Sequence, residues 1–342
     1  MSTETNLLIE EQKRKGLRVA LAVSIGFTLA VYVGAIVPFL GPLFAAQFLL
    51  GSSRPMPLAK TVGAAVVILI TGMAMMVLTN ALGDRPAPFL LILGLTYFAC
   101  FAAQSTGKGG PAVFLVLVAA IIVPLLGILN KELANSILSI LVTGVLSGTV
   151  LMWLAHAIFP EPFSRDIEAV SIDERPPALL RALANTVILL ASVVICLTSD
   201  NLTAAAVIPI TVASLLGQLD VAASARAAVG LVLVNLFGGV LASVAYAALS
   251  LRPNLLSIFL IVLIVVLLIG GRAAARSKDA QVFAGALTIF LILFGLGVSP
   301  LPGSAAESFA SRIIYVGAAL IYTLLLAAIL WPLTGETKRI SA

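Results

Sequence analysis

The stretch "ALGDRPAP", residues 81–88, recurs as "ALSLRPNL" at residues 248–255, with Ala-Leu and Arg-Pro in the same places 167 residues apart. At the same offset Val62-Gly63 matches Val229-Gly230, Gly72 matches Gly239 and Pro42 matches Pro209. Upstream the offset falls to 163, where Leu17-Arg18 matches Leu180-Arg181, so the second half carries a small insertion around "SDN" (199–201). Downstream, Val113-Phe114 pairs with Val282-Phe283, and Phe159-Pro160 resembles Trp331-Pro332. Chance matches in a low-complexity apolar sequence would not keep Gly, Pro and Arg in register. Two related halves are expected.

The medium these halves occupy follows from composition. The 342 residues are 61% hydrophobic and 10% charged, against about 45–50% and 25% in soluble domains. Apolar runs are broken by Gly, Pro and charges at the spacing expected when each run crosses a hydrocarbon core about 30 Å thick. Helices are implied, since a barrel would alternate polarity in segments of about ten residues. Spans are placed near 17–37, 38–50, 61–80, 88–104, 111–129 and 135–159, then 178–198, 202–216, 227–249, 254–271, 280–299 and 312–332. The expected fold is an all-α integral membrane protein with about twelve transmembrane helices in two six-helix repeats. An even number of crossings per repeat makes the repeats parallel, related by an axis along the membrane normal. The expected division is a cytoplasmic tail at 1–16, a first repeat at 17–160, a linker at 161–177, a second repeat at 178–332 and a cytoplasmic tail at 333–342.

Charge sets the orientation. With the N-terminus inside, the inner segments hold Lys13, Arg14, Lys15, Arg18, Arg54, Lys60, Lys108, Arg165, Arg175, Arg181, Arg226, Arg272, Arg276, Lys278, Lys338 and Arg339, and only Arg85, Lys131, Arg252 and Arg312 lie outside. That bias satisfies the positive-inside rule with both termini cytoplasmic. The net charge of +5 is thereby explained by topology, and no nucleic-acid partner is expected. The opening "MSTETNLLIEEQKRKGLR" carries three glutamates and reads as a tail rather than a signal peptide. Cys100 and Cys196 fall in apolar runs and read as small packed hydrophobes.

Catalytic chemistry has little support, and no enzyme activity, metal or cofactor is expected. The one histidine, His156, sits near the inner end of the sixth span beside Trp153, with no Cys, Asp or Glu at ligand spacing. "QSTGKGG" (104–110) resembles a phosphate loop but lacks its first Gly and has Gly109 where Ser or Thr would hold magnesium.

The second and eighth spans carry more information. "PFLGPLFAAQFLL" and "LTAAAVIPITVASLL" are short for a crossing, and each has a proline at the matched position, Pro42 and Pro209. Short, Pro-interrupted segments at corresponding places in two halves point to a transporter's central site. The candidate substrate-binding residues are therefore Pro42, Phe44, Gln47, Phe48, Thr203, Pro209, Thr211 and Ser214: the polar groups for a carboxylate or hydroxyl, the phenyl rings for an apolar wall. The alternative is that both prolines merely kink bundle helices. Asp200, at the outer end of the seventh span, is a candidate proton carrier or else a helix-capping turn residue. Asp220 and Arg226 read as a solvated pair. Arg85 and Arg252, the arginines of the opening motif, are either exit-side cations for anions or structural turns whose guanidinium caps the preceding helix.

The pattern of each half resembles the fusaric acid resistance (FUSC) and aromatic acid exporter superfamily. Leu-Arg opens the first span, a Pro-containing short span follows, "RPMPLAKTVGA" (54–64) leads into a Gly-bearing third span, and the last span closes in Phe-Pro or Trp-Pro. The resemblance covers nearly the whole chain, without the large cytoplasmic domain of the bigger exporters. It implies a component of an efflux system in the bacterial inner membrane, exporting aromatic or other organic acids or toxic compounds. Proton coupling is part of this expectation. So is work with a periplasmic membrane-fusion adaptor; self-association is left open.

Two other classes compete. A major facilitator would share the 6+6 parallel topology, but its acidic signature is missing from "GSSRPMPLAK" (51–60). A non-transporting scaffold subunit of an envelope complex would explain why so few ionisable residues fall inside spans.

Topology gives the first prediction. Both termini, the 51–60 loop and the 272–279 loop face the cytoplasm, so cysteines introduced at Ser53 or Ser277 stay unlabelled by impermeant maleimide in intact cells; labelling at either would refute this orientation.

Overall fold

The computed structural model describes residues 2–51, 55, 57–106, 110–129, 131–160, 179–198, 207–219, 225–275, 280–299 and 305–331. Within them there are twelve helices and no strand: α1 Ser2–Tyr32, α2 Leu40–Gly51, α3 Leu58–Leu82, α4 Pro86–Ser105, α5 Gly110–Leu129, α6 Lys131–Ile158, α7 Leu179–Leu197, α8 Val207–Leu219, α9 Ala225–Leu251, α10 Leu255–Ala273, α11 Ala280–Val298 and α12 Ala305–Leu330. Six carry stretches long and apolar enough to cross a membrane: Glu10–Tyr32, Leu58–Leu82, Pro86–Ser105, Ser136–Ile158, Leu179–Leu197 and Leu255–Ala273. Their outward faces are greasy. On α3, Val62, Val66, Ile70, Met73 and Val77 are exposed at helical spacing, as are Leu256, Leu260, Ile264 and Leu267 on α10. Such stripes suit contact with hydrocarbon. On α7 the pattern is inverted: Ala182, Asn185, Ile188, Ser192 and Cys196 face inward while Leu183, Val187 and Ile195 face out.

The helices pack into two compact units, and neither unit is a sequence half. One gathers α1, α2, residues 58–65 of α3 and residues 140–158 of α6 with α9, α10, α11 and residues 305–310 of α12. The other gathers residues 66–82 of α3, α4, α5 and residues 131–139 of α6 with α7, α8 and α12 from residue 311. In the first unit α1 packs on α2 and α10, α10 on α11, and α2 on α11. In the second, α7 packs on α8 and α4, α4 on α5, and α8 on α5. By the sequence matches α1 corresponds to α7, α2 to α8, α4 to α10 and α5 to α11, so these four pairings are the same in both units with the contributing halves exchanged.

The first unit has two well-defined ends. At one, Lys15 Nζ donates to the Leu50 carbonyl (2.9 Å), Arg18 Nε donates to the Phe159 carbonyl (2.7 Å), and Gly16 meets the backbone of Gly271. The cations thus sit on carbonyls that close α2 and α6, where the helix dipole is negative. At the other end Ser299 Oγ donates to the Ile36 carbonyl (2.6 Å), beside the contact of Gly295 with Phe39. The start of α1 and the C-terminal ends of α2, α6 and α10 therefore share one end.

Between α1 and α2 the chain reverses through a glycine turn. Gly34 has φ +75°, its N–H bonds the Val31 carbonyl, and the Ala35 N–H reaches back to Ala30. This left-handed cap closes α1 as glycine alone does cheaply. Pro42 is the third residue of α2, and a proline in a first turn removes no helical hydrogen bond, so this short helix is regular and the reversal near it belongs to residues 33–39; Pro209 lies in α8 two residues after the first described position.

A genuine internal proline is Pro124 in α5. With no N–H at position 124, the Ala120 carbonyl loses its helical donor. The wholly buried Tyr97 of α4 supplies one, its hydroxyl 3.3 Å from that oxygen. Tyr97→Phe is predicted to lower stability by about 1–3 kcal/mol, the cost of an orphaned buried carbonyl, and by much less in a Pro124→Ala background. Unfolding of the four proteins in detergent checks this, and equal losses in both backgrounds would refute it.

Candidate functional site

The site sought in the sequence begins on α2. Its residues 40–46, 48 and 49 are buried, so the helix is sheathed by protein. Close approach is achieved with glycine: a Cβ on Gly148 of α6 would lie 2.9 Å from the Gly41 carbonyl oxygen and 3.0 Å from the Ala45 nitrogen. Phe44 packs against Gly144 and Gly148, and its ring stacks 6.4 Å from that of Phe48. Further rings from α1 and α11 lie in the same unit, with Phe27 5.4 Å from Phe294, which stacks 5.5 Å from Phe290.

Gln47 is the half-buried polar residue of α2. Its Nε2 donates to Thr288 Oγ1 on α11 at 3.0 Å, and that hydroxyl donates to the Ala284 carbonyl at 3.0 Å. A carboxamide and a hydroxyl thus meet 241 residues apart, one from each half of the sequence. Thr288 was missed by sequence reading. Its signal was a single hydroxyl in the apolar run "VFAGALTIFLILFG" (282–295).

Gln47, Phe44, Phe48 and Pro42 belong to the first unit; Pro209, Thr211 and Ser214 belong to the second, on α8, with both hydroxyl residues buried. Thr203 and Asp200 lie outside the described residues, as do residues 107–109 of the glycine-rich turn and Asp220 with its intended pairing to Arg226. Arg85 and Arg252 are exposed. Both turns are closed by main chain: the Arg85 N–H bonds the Leu82 carbonyl (2.8 Å) and the Arg252 N–H the Leu249 carbonyl (3.1 Å). The helix after the second turn is capped by Asn254, which accepts from the Ser257 N–H at 2.7 Å. The duplicated motif is therefore a repeated backbone turn. His156 Nδ1 lies 2.9 Å from the Met152 carbonyl one turn back on α6. Among the described residues no group of His, Cys, Asp and Glu could hold a metal ion.

The matched ends Arg18/Phe159 and Arg181/Trp331 also meet in space, each pair within one unit. Arg18 uses its Nε on the Phe159 carbonyl, whereas the Arg181 guanidinium lies over the Trp331 ring, 4.0 Å from its centroid. There the Trp331 indole N–H donates to Asn185 Oδ1 at 3.0 Å.

Fold and composition together define an all-helical, multi-pass membrane protein. A family described as a protein of unknown function (DUF2955) is matched over residues 15–155, within the first half of the chain. No curated protein and no solved structure matches.

The Gln47–Thr288 bond should be measurable. In a double-mutant cycle with Gln47→Leu and Thr288→Val, the coupling is predicted at about 1 kcal/mol, the scale of interhelical hydrogen bonds in membranes; a coupling of zero would show that the two groups do not bond.

Proposed function

We propose that this chain is the transmembrane component of an efflux system in the bacterial inner membrane, exporting aromatic or other organic acids. In this reading it crosses the membrane twelve times with both termini cytoplasmic, as two parallel six-helix repeats of the FUSC type. It is coupled to the proton gradient and works with a periplasmic adaptor. The observation that carries the proposal is the sheathed short helix α2, with Gln47 bonded to Thr288 of α11. A short helix in each half at a matched position is what transporters with internal repeats place around their substrate.

The repeat is supported by the exchanged pairings, α1 on α10 beside α7 on α4, and α2 on α11 beside α8 on α5. The family match supports it differently, since residues 15–155 are close to one repeat in extent. Helices α1, α2, α6 and α10 end or begin at a common end of their unit, as six crossings per half demand.

Export is tested in inverted membrane vesicles, where outward transport becomes uptake. Energised vesicles bearing the protein should accumulate labelled benzoate, and a protonophore should abolish the accumulation. Gln47→Leu should weaken apparent affinity about tenfold, equivalent to about 1.4 kcal/mol, the scale of one lost hydrogen bond with its partner left unpaired. Uptake no greater than in vesicles without the protein would contradict export and favour a scaffold subunit.

A further inference from the structure

Asn185 is the least expected polar residue in the chain's core. It lies on α7, one turn after Arg181, and is wholly buried. The indole N–H of Trp331 is a donor only, so the Asn185 oxygen must face it, as the 3.0 Å contact requires. The carboxamide nitrogen then points the other way, and it has no hydrogen-bond partner. Two N–H donors are left without an acceptor in a buried place, which is unfavourable unless something fills the role.

What would fill it is defined by the neighbours. The Arg181 guanidinium, 4.0 Å from the centroid of the Trp331 ring, puts a permanent positive charge one helical turn from Asn185. An acceptor that also bears negative charge is favoured by both groups, and a carboxylate has the two oxygens to take a guanidinium and an amide together. Arg181 is only partly buried, so its guanidinium keeps contact with the surroundings of the unit.

The matched positions of the first half lack the amide and the indole. They hold Ala22 and Phe159, and Arg18 bonds a backbone carbonyl there. Asn185 and Trp331 thus depart from the repeat together, and the bond between them is the product of both departures.

We infer that Arg181, Asn185 and Trp331 form a second carboxylate-binding site for the transported acid, additional to Gln47 of the first unit, at the end of the second unit where α7 begins and α12 stops. This rests on the export of organic acids proposed above. The same chemistry would suit the phosphate of an anionic lipid, and the experiment separates the two.

Trp331 is the reporter. In a Trp153→Phe background it is the one remaining tryptophan, so its fluorescence in neutral detergent is followed as benzoate is added. The expected result is a saturable change with benzoate and none with benzyl alcohol. In Asn185→Asp, which keeps an oxygen for the indole but replaces the donors with negative charge, benzoate affinity should fall at least tenfold. Asn185→Leu should behave likewise. No saturable change, or the same affinity in Asn185→Asp, would overturn the site. A response to dihexanoyl phosphatidylglycerol but not to benzoate would overturn its assignment to substrate. Benzoate uptake by inverted vesicles of the same variants keeps the two proposals apart. Uptake unaltered in Asn185→Asp sinks this site and spares export, whereas saturable binding without uptake by the parent protein sinks export and spares the site as a carboxylate site.

Discussion

A helix of twelve residues reaches about 18 Å, and a hydrocarbon core about 30 Å thick would strand at least one of its ends among lipid tails. Unbonded backbone groups there are costly, so α2 can exist only where protein covers its sides and meets its termini. Both conditions are satisfied. Glycines 144 and 148 let α6 approach to backbone distance, α1 and α11 lie against it, and Lys15 takes the Leu50 carbonyl at its end. The turn that precedes it is held by Ser299 on the Ile36 carbonyl.

That sheath explains the plan of the molecule. Two of the helices around α2 come from its own half, α1 and α6, and one, α11, comes from the other. Its counterpart α8 packs on α7 from its own half and α5 from the other. Each compact unit therefore requires both halves of the chain, and the polar contact in the first unit, Gln47 to Thr288, joins them too. At matched positions within this shared frame the halves differ, Asn185 and Trp331 standing where the first half has Ala22 and Phe159.

Much of the helix order was legible in the sequence, and the reasons for the gaps are physical. Hydropathy and charged punctuation fix where a chain enters and leaves lipid, so the expected spans at 88–104 and 280–299 fall on α4 and α11. They carry no information on neighbours, because every lipid-soluble helix has a face suited to many partners; hence the exchange between halves was invisible. Gln47 stood out as an amide in an apolar run, but Thr288, a lone hydroxyl able to bond its own helix, did not. Asn185 lies inside the expected span at 178–198, where a lone amide in an apolar run does not reveal which helix it will meet. Pro42 reads as an interruption because sequence shows a proline in a short segment but not that it lies in the first turn.

The central claim is that each unit is built from both halves, and the pairing of α4 with α7 tests it most directly. Gly94 and Leu190 touch across that pair. In a chain with Cys100 and Cys196 replaced by alanine, cysteines at 94 and 190 and a protease site within 161–177, oxidation followed by cleavage should leave the two halves joined on a denaturing gel until reductant is added. Halves that separate without reductant, after cysteine oxidation has run to completion, would contradict the exchanged architecture.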